Sequence, residues 1–305
     1  MLNKSLNNIK SNTLLFLCLV GVFQVFTYRF FIFNSFSSWE EILSSFGIAI
    51  LLIINIIIIN SIDRQSHLSL GNSYLPFFIL ILTSFFPIVY YDIKIMISSV
   101  LTIIIFKKLL YADYNQDARL SFLDASMLVV IAFLFYNYSF LNIFLIWFSI
   151  LSYGNKVYRN LFIPIIGVLI VFLLILVISI PFNLTNYFYN LINISFYLSI
   201  KDFLNKDFLP VILVVLINLS ITSWCLWKRY KRKVSQFLIF ITILGFLAVL
   251  FSQQKDASAM VFLTLPTSVS LVVILENIKR NWLKESVLWF FIIVSFSIFY
   301  YQHNS

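Results

Sequence analysis

The stretch RLSFLDASMLVVIAFLFYNYSFLNIFLIWFSILSYGNKVYRN, residues 119–160, decides the fold. A charged run ends at Asp124. Two apolar segments follow with only Asn137, Tyr138 and Ser139 between them, and Lys156 and Arg159 close the unit. This is the pattern of a helical hairpin in a membrane, tethered at both ends by charge on one side. The arms, near 125–135 and 140–151, are short for a hydrocarbon core of about 30 Å. The pair is therefore expected either to lean on flanking Phe, Asn and Tyr residues or to re-enter the membrane while buried in protein.

Outward from the hairpin the texture is the same. The chain of 305 residues is 61% hydrophobic and 11% charged, where a soluble domain carries about 25% charged residues. Its apolar residues come in runs of about 15 to 20, the length of a bilayer span. The expected fold is an all-α, polytopic transmembrane bundle forming a single integral membrane domain over residues 1–305. Spans are expected near 14–33, 42–62, 74–91, 95–106, the two hairpin arms, 161–180, 209–227, 234–251, 260–275 and 287–301. That makes about eleven, or nine if the hairpin re-enters. Residues 183–208, rich in Tyr, Phe, Asn and Ser, read as a helix lying in the interface. Lys4 and Lys10 before the first run imitate a signal peptide. The run is of span length with no small-residue cleavage site after it, so it is expected to be a retained span.

The net charge of +9 is scattered between the apolar runs rather than gathered on one face, which argues against nucleic acid as a partner. Loop charge orients membrane proteins. With the N-terminus inside, the outer segments hold only Arg29, Lys94, Lys201, Lys206 and Lys255 of the 21 Lys and Arg residues. The densest basic run, Lys228 to Lys233, then anchors the inner face. Cys18 and Cys225 both lie in apolar runs and make neither a disulfide framework nor a metal spacing.

Several motifs resemble an uncharacterised bacterial family of multi-pass membrane proteins, a domain of unknown function. They are SYLPFFILILTSFFP at 73–87, LDASMLVVIAFLFY at 123–136, YRNLFIPIIG at 158–167, FLTLP at 262–266 and RNWLKE at 280–285. The resemblance implies an integral protein of the bacterial inner membrane and implies no activity.

Chemistry-bearing residues are few. Glu40 and Glu41 follow the first span on the outer face. This placement is similar to that in the polyprenyl-phosphate-dependent glycosyltransferases of the C superfamily. That resemblance implies a base, or a ligand for a divalent cation, acting on a lipid-linked sugar. Tyr187, Tyr189, Phe196 and Tyr197 of the interfacial segment would then cover the lipid. The plainer reading is that both carboxylates complement the positive N-terminus of the second span. Arg29 is expected to snorkel to the interface, and Asp124 to cap a helix N-terminus. Arg159 anchors the inner end of the hairpin. Three function classes stay open: an enzyme acting on a polyprenyl-phosphate lipid, a transporter without ion-coupling charges, and a non-catalytic envelope component that binds membrane lipids or another envelope protein.

Overall fold

The computed structural model describes residues 5–6, 11–33, 38–66, 72–112, 118–152, 158–181, 219–220, 223–224, 232–251 and 261–304. Among these residues every regular element is helical. The α-helices are α1 (Ser11–Phe31), α2 (Trp39–Ser66), α3 (Tyr74–Ser84), α4 (Ile93–Tyr111), α5 (Ala118–Phe135), α6 (Asn142–Ser152), α7 (Ile163–Ser179), α8 (Arg232–Phe251), α9 (Val261–Asn277) and α10 (Asn281–Asn304). Short 3-10 turns at Pro87–Tyr90, Asn137–Leu141 and Tyr158–Phe162 precede α4, α6 and α7. Helices are the only open-chain elements that satisfy their own backbone in hydrocarbon, which is why even an Ile-rich run such as that of α2 coils rather than extends.

Among the described residues five helical stretches are long and apolar enough to cross a membrane: Asn12–Phe31, Trp39–Gln65, Ala118–Phe135, Arg159–Ser179 and Asn281–His303. Shorter apolar helices lie at Tyr74–Ser84, Asn137–Ser152, Gln236–Ala248 and Val261–Asn277. The chain is thus a membrane protein by the length and composition of its helices. Most of the expected span at 209–227, and the interfacial segment at 183–208 with Tyr187, Tyr189, Phe196 and Tyr197, lie outside the described residues.

The chain divides into two compact units, Met1–Met96 with Leu263–Ser305, and Ile97–Phe262. In the first unit α3 is the core: all eleven of its residues are buried, with α1, α2 and α10 packed against it. At about 1.5 Å per residue it is about 16 Å long, half a hydrocarbon core. It stops at Ser84 because Pro87 cannot donate to the ladder, and the chain turns through Pro87–Tyr90 instead. Thr83 and Ser84 bond back to the carbonyls of Leu80 and Ile81, at 2.8 and 2.6 Å. Both hydroxyls thereby stay satisfied inside an apolar core.

In the second unit α5 and α7 pack most closely. A Cβ on Gly167 of α7 would lie 3.1 Å from the backbone oxygen of Leu123 and 2.9 Å from Cβ of Ser126, and it would overlap the Ser126 hydroxyl. Only glycine lets the two backbones approach this far. The hairpin arm α6 is held by Trp147, whose Nε1 donates to Leu161 O at 3.2 Å. It is also held by Phe148, stacked on Phe240 of α8 with ring centres 4.4 Å apart. Asn142 reaches Thr102 of α4 at 3.1 Å.

Two readings of the sequence change here. The first hairpin arm is not short: α5 begins at Ala118 and has 18 residues. Residues 118–124, the end of the charged run, form its first turns. Asp124 is therefore not an N-cap. It lies within α5 and pairs with Lys108 of α4 at 2.5 Å, the two side chains being 48% and 38% exposed.

Candidate functional site

The first unit carries the two features that could do something specific. One is a polar knot around Arg29, near the end of α1. The other is an apolar groove between α1, α3 and α10.

Arg29 does not snorkel. It is 2% exposed and its guanidinium is spent on protein oxygens. Nε donates to Tyr90 O at 2.7 Å and an Nη donates to Tyr91 O at 2.8 Å. The other Nη reaches Glu41 O at 2.8 Å, Ser44 Oγ at 2.6 Å and Ser45 Oγ at 3.0 Å. The guanidinium carbon also lies 5.9 Å from the centre of the Tyr91 ring, within cation–π range. Arg29 thus ties the end of α1 to the first turn of α2 and to the turn that ends in Tyr91. A planar fork of five donors suits this task, whereas a lysine ammonium could not span the same acceptors. Beside it, Tyr28 donates to Ser84 O at 2.9 Å, and its ring packs on Tyr90 and Phe299 with centres 4.8 and 5.0 Å away.

Glu40 and Glu41 sit in the first turn of α2, not in a loop. Ser38 Oγ accepts from Glu41 N–H at 3.3 Å, and Glu41 Oε2 accepts from Ser38 N–H at 3.4 Å. This reciprocal pair is a capping box, and the S-x-x-E spacing that encodes it is visible in the sequence as SWEE. Glu41 therefore has a structural task, joined to Arg29 through its backbone oxygen. Glu40 is exposed. Arg159 is exposed as well, in the turn before α7. Among the described residues no group of three or more His, Cys, Asp or Glu side chains could hold a metal ion.

The groove has a volume of about 960 Å³ and runs the length of α1, from Asn12 and Thr13 to Phe31, with Trp289 and Phe299 on the α10 side. That volume is at the upper end of the range of about 300–1,000 Å³ found for ligand sites. Its walls are almost wholly apolar. Among the described residues the polar ones on its walls are Ser5, Asn12 and Thr13 at one end, and Gln24, Thr27, Tyr28 and Ser295 farther along; none of these is charged. Thr27 donates to Gln24 O at 2.9 Å, and Ser295 shares a hydrogen bond with Ser84 at 2.5 Å. The side-chain oxygen of Gln24 is buried with no hydrogen-bond partner among the described residues. The groove was not found by reading the sequence. The available signal was Gln24, Thr27 and Tyr28 at helical i, i+3, i+4 spacing, which puts three polar groups on one stripe.

The chain belongs to a family of unknown function (DUF6427), whose model matches residues 1–305. No curated protein and no solved structure matches it. The family assignment agrees with the motifs quoted above, while the likeness to glycosyltransferases rests on the position of Glu40 and Glu41 alone.

Proposed function

We propose that the protein is a multi-pass component of the bacterial inner membrane whose first unit binds the hydrocarbon chain of a membrane lipid. In this reading the N-terminus is cytoplasmic and eleven segments enter the membrane. The observation that carries it is the groove along α1. At 1.5 Å per residue the α1 wall from Thr13 to Phe31 is about 27 Å long, close to the hydrocarbon thickness. An apolar slot of that length in a membrane-spanning helix suits an extended chain. Native mass spectrometry of the protein released from detergent tests this. The wild type should carry an adduct of one lipid mass, and Val20→Trp, which fills the groove wall, should lose it at unchanged abundance. Identical adducts on both proteins would overturn the reading.

A second reading keeps chemistry at the outer face. Glu40 is exposed at the start of α2 and takes no part in the capping box. It remains the residue to test as a base acting on a polyprenyl-phosphate sugar. Glu40→Gln would then lower turnover by about 100-fold or more. A variant that complements a deletion strain as well as wild type does would sink the enzyme.

A further inference from the structure

Resting on the lipid-chain reading of the groove, we infer that its occupant is a neutral lipid with a small planar hydrogen-bonding head: an isoprenoid quinone or its quinol. Three observations lead there. The first concerns where selectivity can come from. Inside a bilayer an alkyl chain gains no hydrophobic energy by leaving other chains for an apolar wall. Preference for one lipid over the surrounding sea must therefore come from the few polar positions and from fit. The second is charge. Among the described residues no Lys, Arg or His lines the groove; the nearby Arg29 is engaged by Tyr90, Tyr91, Glu41, Ser44 and Ser45, and His303 lies behind Phe31 and Phe299, its Nδ1 3.0 Å from Phe31 O. A phosphate buried here would lack a counter-charge at large cost. A neutral head does not carry that cost.

The third is the polar belt. Gln24 lies about 18 Å along α1 from Asn12 and about 10 Å from Phe31, taking 1.5 Å per residue. It stands on the groove wall with Thr27 and Ser295, and its carboxamide oxygen has no partner among the described residues. A carboxamide offers both a donor and an acceptor, so it can serve a quinone carbonyl or a quinol hydroxyl. The rings of Tyr28, Phe31 and Phe299 line the groove toward the same end and meet edge to face, with Phe31 and Phe299 centres 6.2 Å apart. Aromatic walls of this kind suit a flat ring. The apolar length between Gln24 and Thr13 then takes the tail.

The test is extraction of the lipid held by the purified full-length protein, followed by chromatography and mass analysis, with the source membrane as reference. Wild type should be enriched in quinone relative to phospholipid. Gln24→Leu, which keeps the volume and removes both hydrogen-bonding groups, should cut that enrichment by about five- to tenfold, the worth of one hydrogen bond. Ser295→Ala gives an independent check on the same belt, and Val20→Trp should abolish retention of any lipid. A phospholipid held in the groove and displaced by Val20→Trp would overturn the quinone assignment while leaving the chain-binding reading intact. No retained lipid in wild type, or retention unaffected by Val20→Trp, would overturn both.

Discussion

At the scale of single residues, the polar groups of the first unit divide by whether they are already occupied. Arg29 is, and its removal should be felt as orphaned carbonyls rather than as a lost charge. Arg29→Leu leaves Tyr90 O and Tyr91 O without this donor, while Glu41 O keeps the hydroxyls of Ser44 and Ser45. Each buried group left unsatisfied costs about 1–3 kcal/mol. The variant should accumulate poorly and melt well below wild type in detergent, with Arg29→Lys in between. A wild-type melt for Arg29→Leu would mean the knot is not structural. The capping box makes a finer prediction. Glutamine serves at this position of the box, so Glu41→Gln should melt within about 1 kcal/mol of wild type, the size of a helix-terminus charge effect. Ser38→Ala loses the cap oxygen and should cost about 1 kcal/mol.

At the scale of elements, the legible part was where helices lie. At ten of the expected spans the described residues form a helix, and five of these helices are long and apolar enough to cross a membrane; the one expected at 74–91 stops at Ser84. The helix ends were harder, for identifiable reasons. Leu120, Phe122 and Leu123 are interleaved with Arg119, Ser121 and Asp124, so a hydropathy reading starts the arm at Ala125. The helix already includes Ala118 to Asp124, because nothing in that run breaks it and Lys108 on α4 neutralises Asp124. The burial of Arg29 could not be read either, since its acceptors come from Glu41 to Ser45 and Tyr90 to Tyr91, distant in sequence. Gly167 was likewise only part of a motif until Ser126 appeared beneath it. Gly167→Ala should destabilise the second unit by about 1–3 kcal/mol through overpacking. Ser126→Gly in the same chain should restore part of the loss, which melting of the single and double variants would reveal. By contrast, the half-exposed Lys108–Asp124 pair should contribute no more than about 1 kcal/mol, so Asp124→Asn should leave abundance unchanged. A Gly167→Ala variant as stable as wild type would show that α5 and α7 do not rely on this close approach.

At the scale of the whole molecule, composition alone announced a membrane protein, and the described helices agree with it. The groove was not legible, because it is made jointly by α1, α3 and α10, the last more than 200 residues from the first. Orientation is tested by labelling single cysteines in a background lacking Cys18 and Cys225. Positions 156 and 231 should be shielded from an impermeant reagent in whole cells, and positions 201 and 303 should react; the reverse pattern would invert the topology. The central claim, that the groove holds a lipid of its own, is tested most directly by a photoreactive amino acid placed at position 20 or 19. Val20 lines the groove, whereas Leu19, 61% exposed, is not among the groove's lining residues. After exhaustive detergent exchange and irradiation, the probe at 20 should yield a lipid adduct and the probe at 19 a detergent adduct. Detergent adducts at both positions would contradict the account.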